Sequence, residues 1–338
     1  ELYSPLKKWL QPLNRSNRAL TLCRLLQNQR LIQITQTRVL GYFAVMPCAK
    51  FLPSFLIICS SLFFEVKGTK PFPARGFAKI LSSNEAKERL DRYRMHLLTL
   101  SQRNFYHQGY SFQFKLRHMP RRGAEKETFG EITGPALGSG IFRVQLGRNL
   151  EAEIEESTLL LRNPQKPEAW IITRESKKPR RLSTNELFSP LVDGMNQSPF
   201  DLLMPFVFWP EIYRKSGKVA GRPAHLFEFN IPAWVNEARP NWQTIILALD
   251  DIYEAPLRIE TFEKGISPIR TITLKSFKKV EGQWIVKSLD CQDNRERSNT
   301  RLQILSAAIG LDLSSDLFSV DGFDRSLGIP STAYQSVD

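Results

Sequence analysis

The stretch Pro268–Asp293, PIRTITLKSFKKVEGQWIVKSLDCQD, decides the fold. Two strand-like runs, Arg270–Phe277 and Gln283–Cys291, flank Glu281-Gly282, a pair suited to a compact hairpin turn. Beyond them, Thr300, Leu302 and Ile304 alternate with Arg301 and Gln303, which predicts a further half-buried strand. Before them, Leu257, Ile259 and Thr261 oppose Arg258 and Glu260. Thr244–Leu249 is almost wholly apolar and reads as a central strand, and Asp250-Asp251 begins a turn. Earlier still, His225, Phe227, Phe229 and Ile231 share a face opposite Glu228 and Asn230.

The same period of two appears far upstream. Tyr110, Phe112, Phe114 and Leu116 alternate with Ser111, Gln113, Lys115 and Arg117, and Phe142, Val144 and Leu146 with Arg143 and Gln145. Strand-like runs follow at Thr158–Arg162 and Ala169–Thr173, and Lys177-Lys178-Pro179 turns towards a short element near Leu182. The sum is about ten strands with short connections, a mostly β chain forming one antiparallel sheet or barrel. Two helical segments stand beside them. Ser82 with Glu85 fits a capping box, and Ala86, Leu90, Tyr93, Leu97 and Leu100 recur at helical spacing, with Lys87, Glu88, Arg92 and Arg94 facing away. Ser198-Pro199-Phe200-Asp201 starts a short apolar helix that Pro205 stops near Met204, with an extended stretch after it. So little helix cannot cover a wide sheet, so the sheet is expected to curl around its own apolar face.

The chain carries 47 Lys and Arg against 34 Asp and Glu, a net charge of +13. Nearly half of that excess lies in residues 1–45, where seven basic residues face Glu1 alone. The remaining charges are interspersed in sign, an ordinary solvated surface, so no nucleic-acid partner is expected. Phe51–Phe64 holds no charge. It is too short for a bilayer-spanning helix and suits the apolar core of a signal peptide. Lipid attachment at Cys59 and a buried apolar segment are the other readings of that run. Residues 1–45 then read as over-translated or unstructured upstream sequence or a long leader start, with a transit peptide as the alternative. The expected organisation is 1–45 upstream, 46–64 signal peptide, 65–81 linker, 82–325 binding domain and 326–338 tail. Cys23, Cys48 and Cys59 precede the expected mature part, which keeps Cys291 alone and so has no internal disulfide.

No constellation for chemistry stands out. His96, His107, His118 and His225 have no ligand spacing, so no metal is expected, and His225 reads as a hydrogen-bonded core histidine. Gly134, Gly138 and Gly140 match no phosphate loop and suit a hairpin connection. Lys177, Lys178, Arg180 and Arg181 read as a solvated turn or a contact for anionic lipid heads. No catalytic residue and no cofactor is expected.

The segments SPFDLLMPFVFW (Ser198–Trp209), GRPAHLFEF (Gly221–Phe229), the opening hairpin with its K-x-x-G-x-W pattern, and RSNTRLQIL (Arg297–Leu305) resemble the LolA-like family of outer-membrane lipoprotein-sorting proteins. The resemblance spans roughly residues 85–320. It implies a half-open β-barrel with a helical lid, and a periplasmic carrier of the acyl chains of a lipoprotein or lipid, with an inner-membrane donor and an outer-membrane acceptor. A periplasmic lipid or lipoprotein sensor, or an enzyme on the same scaffold, are the alternatives. Exposed acyl chains cost about 0.8 kcal/mol per methylene in water, so a carrier needs a dry surface. Phe112, Phe114, Phe142, Phe227 and Phe229 would line it from the strands, and Leu202, Leu203, Met204 and Phe206 would close its mouth. Plain core packing is the competing reading for all nine.

Overall fold

The computed structural model describes residues 78–99, 108–147, 157–163 and 167–337, all within the unit Phe55–Asp338. The expected upstream region, signal peptide and most of the linker lie outside the described residues, as do His107, Leu100 and the side chains of His96 and Leu97.

The described chain is mostly β. The strands are β1 (Gly109–Met119), β2 (Lys126–Gly134), β3 (Ile141–Leu146), β4 (Ser157–Arg162), β5 (Glu168–Thr173), β6 (Arg180–Arg181) and β7 (Glu211–Val219), then β8 (Arg222–Asn230), β9 (Thr244–Asp250), β10 (Pro256–Phe262), β11 (Arg270–Val280), β12 (Gln283–Asp293), β13 (Ser298–Leu311) and β14 (Gln335–Ser336). They form one 14-stranded antiparallel sheet in the order β6-β5-β4-β3-β2-β1-β13-β12-β11-β10-β9-β8-β7, with β14 paired to β13. The sheet does not close. It consists of two meanders joined by the long β1–β13 ladder, which runs from Gly109↔Leu311 to Met119↔Asn299.

About ten strands were expected and 14 are found among the described residues. The unforeseen ones are β2, β7 and the two-residue β14, whereas β6 is the short element expected near Leu182. In β2 the alternation is interrupted by Gly130 and Gly134, each covered by an aromatic ring from β1. A Cβ at Gly130 would stand 2.5 Å from the Phe114 ring, and one at Gly134 2.5 Å from the Tyr110 ring. In β7 a bulge between Tyr213 and Lys215 breaks the period, and the strand lies at the end of the sheet with little burial. The Glu281-Gly282 turn forms as the sequence predicts, with positive φ at both residues (47° and 83°), the twist-matched geometry of a two-residue hairpin.

Pairing registers place one apolar face across the sheet. From β5 to β1 it carries Ile171, Leu159, Val144, Ile132 and Phe112, then Ala307 on β13. From β11 to β7 it carries Ile272, Ile259, Leu247, Phe227 and Tyr213. This is the concave face.

Helix α1 (Ser83–Thr99) covers part of it with Ala86, Leu90 and Tyr93, all buried. Its start is the expected capping box, in which the Glu85 carboxylate accepts from the Ser82 amide and hydroxyl at 2.8 Å each. Arg94 does not face away, as the spacing suggested. It turns under the helix, donating to the Val207 carbonyl (2.6 Å), the Trp209 carbonyl (2.9 Å) and Glu211 (2.7 Å). A guanidinium can satisfy three acceptors at once, which a helical-wheel pattern cannot foresee. Arg89 donates to the Asp251 carbonyl (2.8 Å) and stands 3.5 Å from Glu254.

The opposite, convex face is also covered in places. Phe318 and Phe323 pack on Leu160. Arg162 donates to the Phe318 carbonyl at 2.7 Å, and the Tyr334 hydroxyl donates to the buried Glu131. The sheet continues past residue 325, where a tail was expected, because β14 pairs with β13 and Val337 joins the main core.

Two outcomes test these packing arguments. Gly130→Ala and Gly134→Ala should each destabilise the protein by about 1–3 kcal/mol in denaturant titration, since ring and strand must move apart. Arg94→Ala should cost about 1–3 kcal/mol by leaving Glu211 and two carbonyls without their donor.

Candidate functional site

From β8 across β11–β13 to the end of β4 the chain supplies its own filling over the concave face. This plug comprises α2 (Thr184–Leu187), α3 (Pro199–Leu203), a 3-10 turn (Pro205–Phe208) and Trp209. Both helices start with a capping box, Ser183 with Glu186 and Ser198 with Asp201, and Pro199 opens the second. Met204 ends α3 in the left-handed region (φ 47°), and the chain re-coils as the 3-10 turn where an extended stretch was expected. Pro205 has no N–H to lose at a helix start, so it stops one helix and begins the next turn.

Aromatic rings dominate the plug. Phe188 lies 4.7 Å from Phe200 and 5.3 Å from Trp242, Phe206 lies 5.5 Å from Phe229, and Trp209 stands 6.0 Å from Trp234 of α4 (Ala233–Ala238). These edge and tilted contacts add about 0.5–1.5 kcal/mol each beyond burial.

Polar groups pin the plug to the middle of the sheet. The Asn196 amide donates to Thr300 Oγ1 (3.0 Å), Asn196 Nδ2 to the Cys291 carbonyl (2.9 Å) and Gln197 Nε2 to the Thr300 carbonyl (3.0 Å). Asn163 Nδ2 donates to the Leu203 carbonyl (2.6 Å), so α3 sits beside β4. Arg270, on the first residue of β11, binds the Asp201 carboxylate and the Asn196 carbonyl. Burial works against its charge, and the Asp201 and Cys291 groups outweigh this and raise its pKa. Burial likewise pushes the Cys291 thiol up to about 12, so it stays protonated and unreactive.

The nine residues expected to line an acyl site fall into two groups. Phe114, Phe227 and Phe229 are buried in the main core, and Leu203 and Phe206 are buried within the plug. Phe112, Phe142, Leu202 and Met204 are half-buried, packed against that core but open on one side. Half-buried Ile132, Ile171 and Ile309 join Phe112 and Phe142 on the concave face of the β5–β1–β13 half. Two polar-rimmed clefts adjoin the plug. One, of about 280 Å³, lies among Phe188, Arg239, Trp242, Glu263, Arg270 and Arg295. The other, of about 290 Å³, lies among Pro167, Glu168, Arg181, Leu182, Leu187 and Trp234. Sequence reasoning passed over Phe188, Trp234 and Trp242 as plug residues. The capping signal Ser183-Thr-Asn-Glu186 ahead of Leu187-Phe188 could have found the first of them.

With the fold and plug described, comparison with known proteins places the scaffold. A family model described as an uncharacterized protein matches residues 210–325, which spans β7 to β13. No curated protein matches the sequence. Among solved structures, a domain provisionally assigned as an outer membrane lipoprotein-sorting protein from Vibrio parahaemolyticus aligns with 72% of this chain and 97% of its own, at 13% identity and a TM-score of 0.56. A DUF1329 family protein from Desulfovibrio piger aligns with 70% and 96%, at 14% identity and a TM-score of 0.55. A LolA superfamily protein from Nitrosomonas europaea aligns with 70% and 98%, at 14% identity and a TM-score of 0.51. The fold is LolA-like. At these identities the likeness is one of architecture, and the plug is described from this chain's own residues.

His225 sits under α1 on this LolA-like sheet and is fully buried. Its Nε2 meets Asp251 at 2.7 Å and its Nδ1 meets the Tyr213 hydroxyl at 3.1 Å, as expected for a hydrogen-bonded core histidine. A carboxylate can only accept, so Nε2 carries the proton and Nδ1 accepts from Tyr213. Burial, against the pull of Asp251, lowers its pKa below the usual 6.5. Burial also lowers that of His118, which bonds Thr300 Oγ1 at 2.8 Å. The unfolded chain therefore takes up protons first as pH falls, so stability is lost from about pH 6.5 downward. Between about pH 7 and pH 5 the fall in melting temperature should be shallower for His225→Gln than for the parent; equal slopes would assign the acid sensitivity to other groups.

Proposed function

We propose that this protein is a non-enzymatic periplasmic carrier that holds acyl chains of a lipoprotein or lipid on its concave face, receiving them at one membrane and releasing them at another. The observation that carries the reading is the row of half-buried apolar side chains, Phe112, Ile132, Phe142, Ile171 and Ile309, packed against the core and only partly covered by the described residues. An aliphatic tail laid along that row would exchange water for carbon on both sides, at about 25 cal/mol per Å² of apolar surface covered. Leu202 and Met204 stand at the plug's margin, and the flexible thioether suits a boundary that repacks when a chain enters. Phe227 and Phe229 lie beneath the plug, so a ligand would reach them only after the Phe188–Trp209 segment swings away. Such a movement would have to break the Arg270–Asp201 pair, which makes the half-buried row the first docking position. The LolA-like architecture, shared with the lipoprotein-sorting domain from Vibrio parahaemolyticus, supports the same cargo class and compartment.

Uptake of a fluorescent fatty acid tests the reading. The parent should bind it, and Phe142→Asp should weaken binding about ten-fold or more, because a carboxylate cannot accept an acyl neighbour without losing its hydration. Phe142 is half-buried at the margin of the core, and circular dichroism checks that the variant is folded. Unchanged uptake by a folded Phe142→Asp protein would remove this face as the binding site.

A further inference from the structure

The hairpin that decides the fold also reaches beyond it. Strand β10 pairs with β11 only as far as Thr273, and β13 pairs with β12 only from Ser288. Between those limits, residues 275–287 pair only with each other across the Glu281-Gly282 turn. The projection carries Lys275, Lys278, Lys279 and Lys287 against one acid, Glu281. That carboxylate already accepts from Gln335 Nε2 at 2.6 Å. Registers Phe277↔Val286 and Lys279↔Trp284 put these four residues on one face of the hairpin. Trp284 is 42% exposed and Phe277 and Val286 are half-exposed, while Val280 and Ile285 on the other face are buried in the core. The tip is therefore held firmly by its inner face and presents an indole, a phenyl ring and a valine outward, with exposed Lys275 and Lys279 beside them.

We infer that this hairpin tip is a docking surface for an anionic lipid bilayer. Indole rings settle at the boundary between headgroups and acyl chains, where one side is apolar and the other wet. Lysines near an acidic leaflet are drawn to it, and their long stems can lie along apolar neighbours while the ammonium groups reach phosphate. A continuous apolar strip inside a basic rim fits that boundary. A nucleic-acid backbone would use the lysines but give Phe277 and Val286 nothing to contact. The inference is independent of the acyl site, because the tip lies outside the row of half-buried concave residues.

Co-sedimentation of the full chain with vesicles tests it, using phosphatidylcholine alone and phosphatidylcholine mixed with phosphatidylglycerol. The parent should bind the mixed vesicles, weaken with added salt, and leave the neutral ones largely alone. Lys275→Glu combined with Lys279→Glu should lower the partition coefficient about ten-fold or more. Trp284→Ala should lower it less and by a salt-insensitive amount. Lipids brominated in the acyl region should quench the parent's tryptophan emission more than that of Trp284→Phe, which serves as the readout if charge reversal disturbs folding. Fatty-acid uptake should be unchanged in every variant, so failure here and failure of the carrier reading are distinguishable. The inference falls if the parent ignores anionic vesicles, if charge reversal leaves binding intact, or if a DNA oligonucleotide binds the tip and vesicles do not displace it.

Discussion

An open sheet with one apolar face has to cover that face, and this requirement organises the molecule. A closed barrel of few strands fills itself, whereas 14 strands that do not close leave a broad concave surface facing outward. Each large side chain left uncovered forfeits about 1.5–3 kcal/mol. The described residues meet the requirement with the aromatic plug and α1, beside a strip of half-buried residues on β5–β1 and β13.

The same requirement explains where buried charges lie. Arg270 and Asp201 form a pair at the seam between plug and sheet, and Arg94 ties α1 to the plug's last turn. The buried Cys291 beside Arg270 is held as a neutral thiol. A buried ion pair is weak evidence for stability in itself, yet it opposes any other placement of the same segment, since a broken pair leaves a desolvated charge. The plug is accordingly anchored at several points along the middle of the sheet.

Much of this was legible in the sequence wherever side chains alternate without interruption. The hairpin around Glu281-Gly282, the central strand at Thr244–Leu249 and the aromatic strand at Tyr110–Leu116 all stand where their periodicity put them. Strand β2 was hidden because Gly130 and Gly134 supply no side chain to alternate, and the rings that cover them belong to another strand. Strand β7 was hidden by its bulge. The division of the nine candidate lining residues into buried and half-buried was out of reach of periodicity. Alternation tells which face a residue takes, but what lies over that face is set by segments distant in sequence, such as Leu203 docked on Asn163 or Trp209 in the plug packed on Trp234. The turn made by Arg94 was equally invisible, because a long side chain can reach around the helix that carries it.

The central claim is that the half-buried strip of the concave face receives acyl chains. Photo-crosslinking with a diazirine-bearing fatty acid, mapped by peptide mass spectrometry, addresses it directly. The account predicts adducts concentrated on peptides holding Phe112, Ile132, Phe142, Leu202 and Met204. Adducts confined to the convex side around Leu160 and Phe318, or no saturable labelling at all, would contradict it.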